Sequence, residues 1–413
     1  MSTMRTITGI QKVATIAAAI VTLAPALPGQ TLSLGSTSRM SQGPAAVDRH
    51  FRVAWTRDGH DGSRPDTLGR GFGTVRVKTD DTFMYAWPAG MAVDTHAREG
   101  TVSNSNGVLE PGEFVVVETS WGGYSMGYHP PNVVPDVLGN LSSFTGPAGG
   151  MYSLGDQSAT FDIYDMGGGN CNDGSADECY VLSVAAAGAR PKTHWDATVR
   201  EDLSGGSLLR VAGPATWTLH IGESFPDVPT DNPFYGFIET VLHNGVTAGC
   251  SGGGYCPGNP MTRAQMAAFL LKSMYGPTHV PPPCTGTVFT DVPCTGGLFD
   301  PWIEELFGLG ITGGCGGKLY CPGDTVSREQ MAAFLLKTLL GSTYVPPPCA
   351  GIFADVPCTP GTGFADWIED LYNRQITGGC SESPLGYCPT SPNNRGQMAA
   401  LLTKTFGLAL YGP

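Results

Sequence analysis

Charge is scarce in this chain, and basic charge scarcer still. Only 14% of its 413 residues are charged, and 23 Lys plus Arg against 36 Asp plus Glu leave a net charge of −13. The basic footprint needed for a phosphate backbone or an anionic lipid surface is missing, which excludes nucleic acid and acidic membranes as partners. No apolar run after Leu23 has the length of a membrane-spanning helix. No C-x-x-C pair and no H-E-x-x-H occur, so neither a zinc ribbon nor a zincin can be read from the cysteines and histidines. His243 and His279 stand alone in the last part of the chain, and His50, His60, His96, His129, His194 and His220 show no ligand spacing and receive no role. Helical periodicity is absent between about 49 and 223.

What is present begins with a basic n-region (Arg5, Lys12), an apolar stretch from Val13 to Leu23 and Ala24-Pro-Ala26. Residues 1–26 therefore read as a secretory signal peptide, leaving no transmembrane segment after its removal. Residues 27–48, rich in Ser, Gly and Thr, read as a flexible leader. From 49 to 223 the apolar period is two. Segments 73–78, 113–118, 159–164, 180–184 and 216–221 read as strands between clusters of Gly, Pro, Asn and Asp. That predicts an all-β, sandwich-like or jelly-roll-like domain.

The twelve cysteines fall into near neighbours: Cys171/Cys179, Cys250/Cys256, Cys284/Cys294, Cys315/Cys321, Cys349/Cys358 and Cys380/Cys388. An even count, local spacing and an exported chain predict six disulfides, each worth about 2–3 kcal/mol.

The last 190 or so residues are one unit written three times. Phe225-Pro-Asp-Val-Pro229, Phe289-Thr-Asp-Val-Pro293 and Phe353-Ala-Asp-Val-Pro357 recur at a period of 64, the mark of a repeat architecture. After each comes an amphipathic stripe: Phe234, Phe237, Ile238, Val241, Leu242; then Phe299, Trp302, Ile303, Leu306; then Phe364, Trp367, Ile368, Leu371, Tyr372. A glycine-rich turn ends at Gly249, Gly314 and Gly379. A cysteine then opens a loop that Tyr-Cys-Pro closes. A second helix begins at Thr262-Arg-Ala-Gln265, Ser327-Arg-Glu-Gln330 and Asn394-Arg-Gly-Gln397, each with the pattern of a capping box. Neither helix can bury its stripe alone, but three pairs together can. The Asp of each F-x-D-V (Asp227, Asp291, Asp355) reads as a turn residue bonding backbone.

F-x-D-V, W-I, G-I-T-G and T-R-A-[EQ], three times in register over about 225–410, resemble the S-layer homology domain. The resemblance implies an all-α, three-repeat bundle with pseudo-threefold symmetry, here disulfide-stapled, with repeats at 224–276, 284–341 and 349–410. It also implies attachment to a cell-wall polysaccharide, often pyruvylated, in grooves between the repeats. The residues implied to bind glycan are Arg263, Arg328 and Arg395, the turn glycines Gly249, Gly314 and Gly379, and the edges of Trp302 and Trp367. An arginine fork beside free N–H groups at a helix N-terminus suits a carboxylate. The chain departs from the family at Gln265, Gln330 and Gln397 (for Glu), at Phe237 (for Trp), at Gln375 (for a turn glycine) and at Gly396 (for Ala).

Two motifs in the β region carry possible chemistry. Gly123-Tyr-Ser-Met-Gly127 fits G-x-S-x-G, but Tyr128-His-Pro-Pro131 cannot continue as the helix a nucleophile elbow needs, so Ser125 reads as part of a glycine-rich loop. Asn170, Asn172, Asp173 and Asp177 cluster around the Cys171–Cys179 loop; they could hold calcium or form a solvated acidic hairpin tip. No carboxylate pair is singled out for glycoside hydrolysis, and no other cofactor is expected. The expected function is non-enzymatic: an exported cell-envelope protein anchored to wall polysaccharide and displaying a structural or adhesive β domain. An anchored extracellular hydrolase and a self-associating layer or filament subunit are the alternatives.

Overall fold

The computed structural model describes the backbone of residues 49–53 and 73–77 and, in full, residues 82–94, 101–126, 131–171, 179–211 and 213–413. The segments read as signal peptide and leader lie outside the described residues, as do Asn172, Asp173 and Asp177. Strands β1 (Arg49–Val53) and β2 (Gly73–Val77) pair antiparallel, Arg49 opposite Val77, in a small unit of their own.

The β region continues with β3 (Phe83–Val93), β4 (Phe114–Met126), β5 (Val133–Thr145), β6 (Gly150–Asp156), β7 (Ser158–Tyr164), β8 (Gly169–Asn170), β9 (Tyr180–Ala186), β10 (Asp196–Ser204), β11 (Leu209–Val211) and β12 (Ala215–His220). One sheet runs β11-β3-β4-β9-β6, with β8 on β4; the other runs β12-β10-β5-β7 and gains a last strand from the far end of the chain. Pairing is antiparallel throughout, except that β11 lies parallel to β3. All five segments with period-two patterning fall on strands. The inward positions of the four after residue 82, Val115, Val117, Phe161, Ile163, Leu182, Trp217 and Leu219 among them, share one core.

A polar knot crosses that core. Glu201 on β10 is fully buried and accepts from Thr119 Oγ1 at 2.9 Å, Tyr180 Oη at 2.6 Å and Trp217 Nε1 at 2.6 Å. Those donors come from both sheets, so one carboxyl ties them together. Any side chain at Gly139 would collide with the Tyr180 hydroxyl.

The repeats contribute six helices among the described residues: α1 (Tyr235–His243), α2 (Arg263–Tyr275), α3 (Asp300–Gly308), α4 (Arg328–Leu340), α5 (Ala365–Asn373) and α6 (Arg395–Phe406). The three longer ones, α2, α4 and α6, pack on one another, α3 lies on α2, α5 on α4, and α1 closes against α6. Their apolar faces fill a single second core. A hairpin of β13 (Ser381–Glu382) and β14 (Leu385–Gly386) follows α5, and β15 (Tyr411–Gly412) follows α6.

The expected division into an all-β sandwich-like domain and an all-α, pseudo-threefold three-repeat bundle does not hold. Among the described residues strand makes up 31% and helix 21%, and the sheets are half-barrels. The repeat region is itself not all-α. Its shorter helices span nine residues each, glycine and proline hold long stretches in turns, and it carries a hairpin of its own. Nor do the two regions separate. β15 pairs with β12, Thr218 opposite Gly412, and Tyr411 Oη accepts from Leu109 N–H at 2.9 Å and donates to Gly107 O at 3.2 Å. Val108 of the β region sits in the core of the repeats.

Burial pushes the Glu201 carboxyl above its ordinary range, and its three hydrogen bonds oppose that shift without cancelling it. A raised folded value means the stability it contributes is present at low pH and is lost as pH rises through that value. Glu201→Gln removes the titration, so its melting temperature relative to wild type should climb as pH rises above the ordinary glutamate range. A difference that stays flat across thermal melts over that rise would contradict the assignment.

Candidate functional site at the joints between repeats

Helices α2, α4 and α6 start at Arg263, Arg328 and Arg395. At Thr262, Ser327 and Asn394 the side chain accepts from the N–H three residues on, and Gln265, Gln330 and Gln397 accept in return from the cap N–H. Glutamine in place of glutamate therefore keeps the capping box intact. The first N–H groups of each helix are bonded too. Those of Arg263 and Ala264 reach Asp324 O at 2.9 Å and Pro322 O at 3.1 Å in the next copy. Ser391 and Pro389 do the same for α4, and Asn259 and Pro257 for α6.

The arginine side chains cross the same joints. Arg263 Nε donates to Tyr320 O at 2.8 Å, Arg328 Nε to Tyr387 O at 2.7 Å and Arg395 Nε to Tyr255 O at 2.8 Å. Each tyrosine answers with its hydroxyl, donated to the backbone oxygen of the same arginine at 2.8, 3.0 and 2.9 Å. Each guanidinium also lies over its tyrosine ring, 4.7–4.8 Å from the centroid, a favourable cation–π arrangement. All three arginines are buried. Burial pushes the tyrosine hydroxyls up, that of Tyr387 to about 12, so they remain donors at neutral pH.

Two arginines reach the turn glycines. Arg328 Nη2 donates to Gly379 O at 3.2 Å and Arg395 Nη2 to Gly249 O at 3.1 Å. At the remaining joint, Arg263 Nη2 is buried without a hydrogen-bond partner among the described residues. Gly249, Gly314 and Gly379 have φ of +95°, +85° and +91°, and a Cβ there would press on the rings of Phe225, Phe289 and Phe353. Asp227, Asp291 and Asp355 each receive two backbone N–H bonds of 2.7–2.8 Å from the Tyr-Cys pair of their own loop. Burial alone would raise Asp355, but those bonds and the nearby Arg328 charge hold it below its usual value.

Trp302 and Trp367 take other partners. Lys272 Nζ lies 5.8 Å from the Trp302 ring and Lys337 Nζ 5.6 Å from that of Trp367. Phe237 holds the equivalent place with Lys404 Nζ at 6.0 Å. The other departures also have physical reasons. A Cβ at Gly396 would lie 2.7 Å from the Phe234 ring, so the alanine of the motif does not fit. Gln375 adopts φ +60°, where Gly245 and Gly310 have +66° and +72°.

Beside Gln375 a cleft of about 390 Å³ opens, lined by Tyr372, Asn373, Gln375, Thr377, Gly378 and Lys404. A second, of about 240 Å³, lies between the second and third copies and includes Glu329, Phe364 and Pro389. The tyrosines of the Y-C-P loops and the cleft-lining Lys404 were not singled out from the sequence. The repeated Tyr-Cys-Pro was visible, but its partner arginine lies in another copy.

The cysteines pair as expected. The six disulfides are Cys171–Cys179, Cys250–Cys256, Cys284–Cys294, Cys315–Cys321, Cys349–Cys358 and Cys380–Cys388, with Cα–Cα distances of 5.2–6.1 Å. Cys321 has a second role besides its disulfide. Its backbone takes φ +59°, in the left-handed region, and its N–H donates to Asp291 Oδ2 at 2.7 Å. Cys321 therefore also ties its loop to the start of its own repeat, through the backbone rather than the sulfur. Cys256 and Cys388 do the same at φ +59° and +56°, each donating to its own Asp at 2.7 Å.

Two candidates remain in the β region. Ser125 lies within β4 rather than in a loop, buried, with its hydroxyl bonded to Pro131 O. Asn170 is half-buried on β8 opposite Ser120.

The S-layer homology domain profile matches residues 224–267. The first of the three copies thus carries an S-layer homology domain. An S-layer protein of Bacillus thuringiensis subsp. finitimus is 27% identical over 202 residues, 47% of this chain. The match spans 23% of that relative's length. A chain with an S-layer homology domain belongs at the cell surface or envelope, and no helix among the described residues is long and apolar enough to cross a membrane.

Two substitutions separate architecture from surface. Arg328→Ala should cost about 2–4 kcal/mol in denaturant unfolding, because two buried carbonyls lose their donors, whereas Lys404→Ala should stay within about 0.5 kcal/mol. Gln375→Gly should instead stabilise by about 1 kcal/mol, since the left-handed region penalises any Cβ. An unchanged or lower midpoint for that variant would count against the strain.

Proposed function

We propose that the three copies, 224–276, 284–341 and 349–410, hold this protein on a cell-wall polysaccharide and that the β region is what they display, in a structural or adhesive role. The S-layer homology match at 224–267 is the observation that carries this reading. Such domains bind cell-wall polysaccharide, and Phe289 and Phe353 restart the same signature in the later copies.

The cleft at the third turn has suitable chemistry. Asn373 and Gln375 supply amides, Thr377 a hydroxyl, Tyr372 an aromatic ring and Lys404 a cation. That set suits a hydroxyl-rich chain bearing a carboxylate, as a pyruvate ketal does. The buried arginines act from behind. Arg328, through Gly379 O, fixes the turn that carries Thr377 and Gly378; Arg395 does the same at Gly249. Trp302 and Trp367 hold the neighbouring helices in place.

Sedimentation of the full-length chain with wall sacculi tests this. Wild type should pellet with intact walls and stay in solution with walls stripped of polysaccharide. Lys404→Ala should weaken retention about tenfold, the value of one charge-assisted hydrogen bond. Wild type left in solution with intact walls, or self-associating instead, would reject the anchoring role.

A further inference from the structure

Four side chains converge where the β region meets α1. Asp196 opens β10 and stands directly opposite His220, the last residue of β12. His194 precedes Asp196 by two residues, and His243 ends α1. Asp196 Oδ2 lies 2.9 Å from His194 Nε2, and Oδ1 lies 2.9 Å from His220 Nδ1 and 3.1 Å from His243 Nδ1. The three imidazole centroids are 5.5–6.2 Å apart, and one ligand atom from each of the four groups lies within 4.8 Å of all the others.

We propose that His194, Asp196, His220 and His243 bind a divalent transition metal ion of the zinc class, as a structural clamp between the β region and the first S-layer homology repeat. Three imidazole nitrogens and one carboxylate oxygen are a donor set for a closed tetrahedral site. Such an ion, with bonds of about 2.0–2.2 Å, sets its ligands roughly 3.3 Å apart. The Asp196 contacts are already near that spacing, and His194, 43% exposed, is free to turn inward.

Three independent features support a metal rather than a proton network alone. First, His220 Nε2 lies 2.5 Å from Glu239 Oε2 in a fully buried contact, and Glu239 is itself held by Ser224 N–H at 2.9 Å and Ser224 Oγ at 2.6 Å. A carboxylate on the far nitrogen fixes the tautomer that turns Nδ1 toward a metal. Second, His243 ends α1, where the helix dipole favours a cation. Third, the site fills a gap in the repeat pattern. The second and third copies have a linker disulfide, Cys284–Cys294 and Cys349–Cys358, and the first does not. His220 lies five residues before Phe225, as Cys284 lies five before Phe289. Where a disulfide fastens the start of a later repeat, the first repeat has this cluster.

The test uses the full-length, disulfide-intact chain, stripped with EDTA, desalted and titrated with Co²⁺ and then Zn²⁺. The expected result is the intense visible absorption of tetrahedral cobalt, saturating at a single ion per chain and bleached by Zn²⁺. His194→Ala, at an exposed position that does not threaten folding, should abolish the bands. Glu239→Gln, which keeps every ligand atom, should weaken binding about 10–100-fold. Zn²⁺ should raise the melting temperature of wild type and leave that of His194→Ala unchanged. Absence of the intense bands in wild type, or bands of equal strength in His194→Ala, would overturn the proposal and leave the cluster a proton-shared network.

Discussion

The repeats depend on a buried guanidinium placed between one copy and the next. A buried charge without partners is costly, and among the described residues no carboxylate is bonded to any of the three arginines. Backbone carbonyls and a tyrosine ring face supply the stabilisation instead. The exchange is reciprocal: Arg328 gives its Nε to Tyr387 O and receives the Tyr387 hydroxyl on its own carbonyl. Two bonds and a stacked ring fix both the separation and the rotation of the two copies. The Asp of F-x-D-V belongs to the same construction, because Asp355 holds the Tyr387 and Cys388 N–H groups and so presents the loop to the arginine. Residues scattered over a 64-residue unit are thus parts of one joint, and their joint recurrence follows from that geometry.

The same construction explains why a single copy would be incomplete. Arg263 needs Tyr320, Arg328 needs Tyr387, and Arg395 returns to Tyr255 in the first copy. The bonds close only after the third copy. A copy cut out alone would lose these bonds to water and expose the apolar faces that the other copies cover.

How much of this could be read from the residues depended on range. Capping boxes, disulfide pairs and the strands with clean alternation are short-range patterns, and each was legible. The second task of Cys321 was not, because the Asp291 that accepts its N–H lies 30 residues earlier. β3 and β5 were not, because Pro88 and Gly90 interrupt one, where the register slips, and Pro135 interrupts the other near its own slip. The resemblance implied the arginines as glycan ligands, and, separately, an arginine at a helix start suits a carboxylate. It could not show that the neighbouring N–H groups are taken by Asp324 and Pro322 of the next copy. The histidines were illegible for the same reason. His194, His220 and His243 are spread over 50 residues, and only the register of β10 with β12, together with the end of α1, brings them into one place.

The joining of the β region to the repeats bears on what the protein does at the surface. A passenger on a flexible tether would leave the two cores independent. Here β15 completes a β-region sheet from the far side of the last repeat, Val108 enters the repeat core, and Glu239 of α1 holds both Ser224 and His220. The β region and the repeats are thus joined through these contacts rather than through an extended linker. The disulfides extend that stiffness, since both later linkers are cross-linked at their ends. A chain built this way has little conformational freedom left between its two regions.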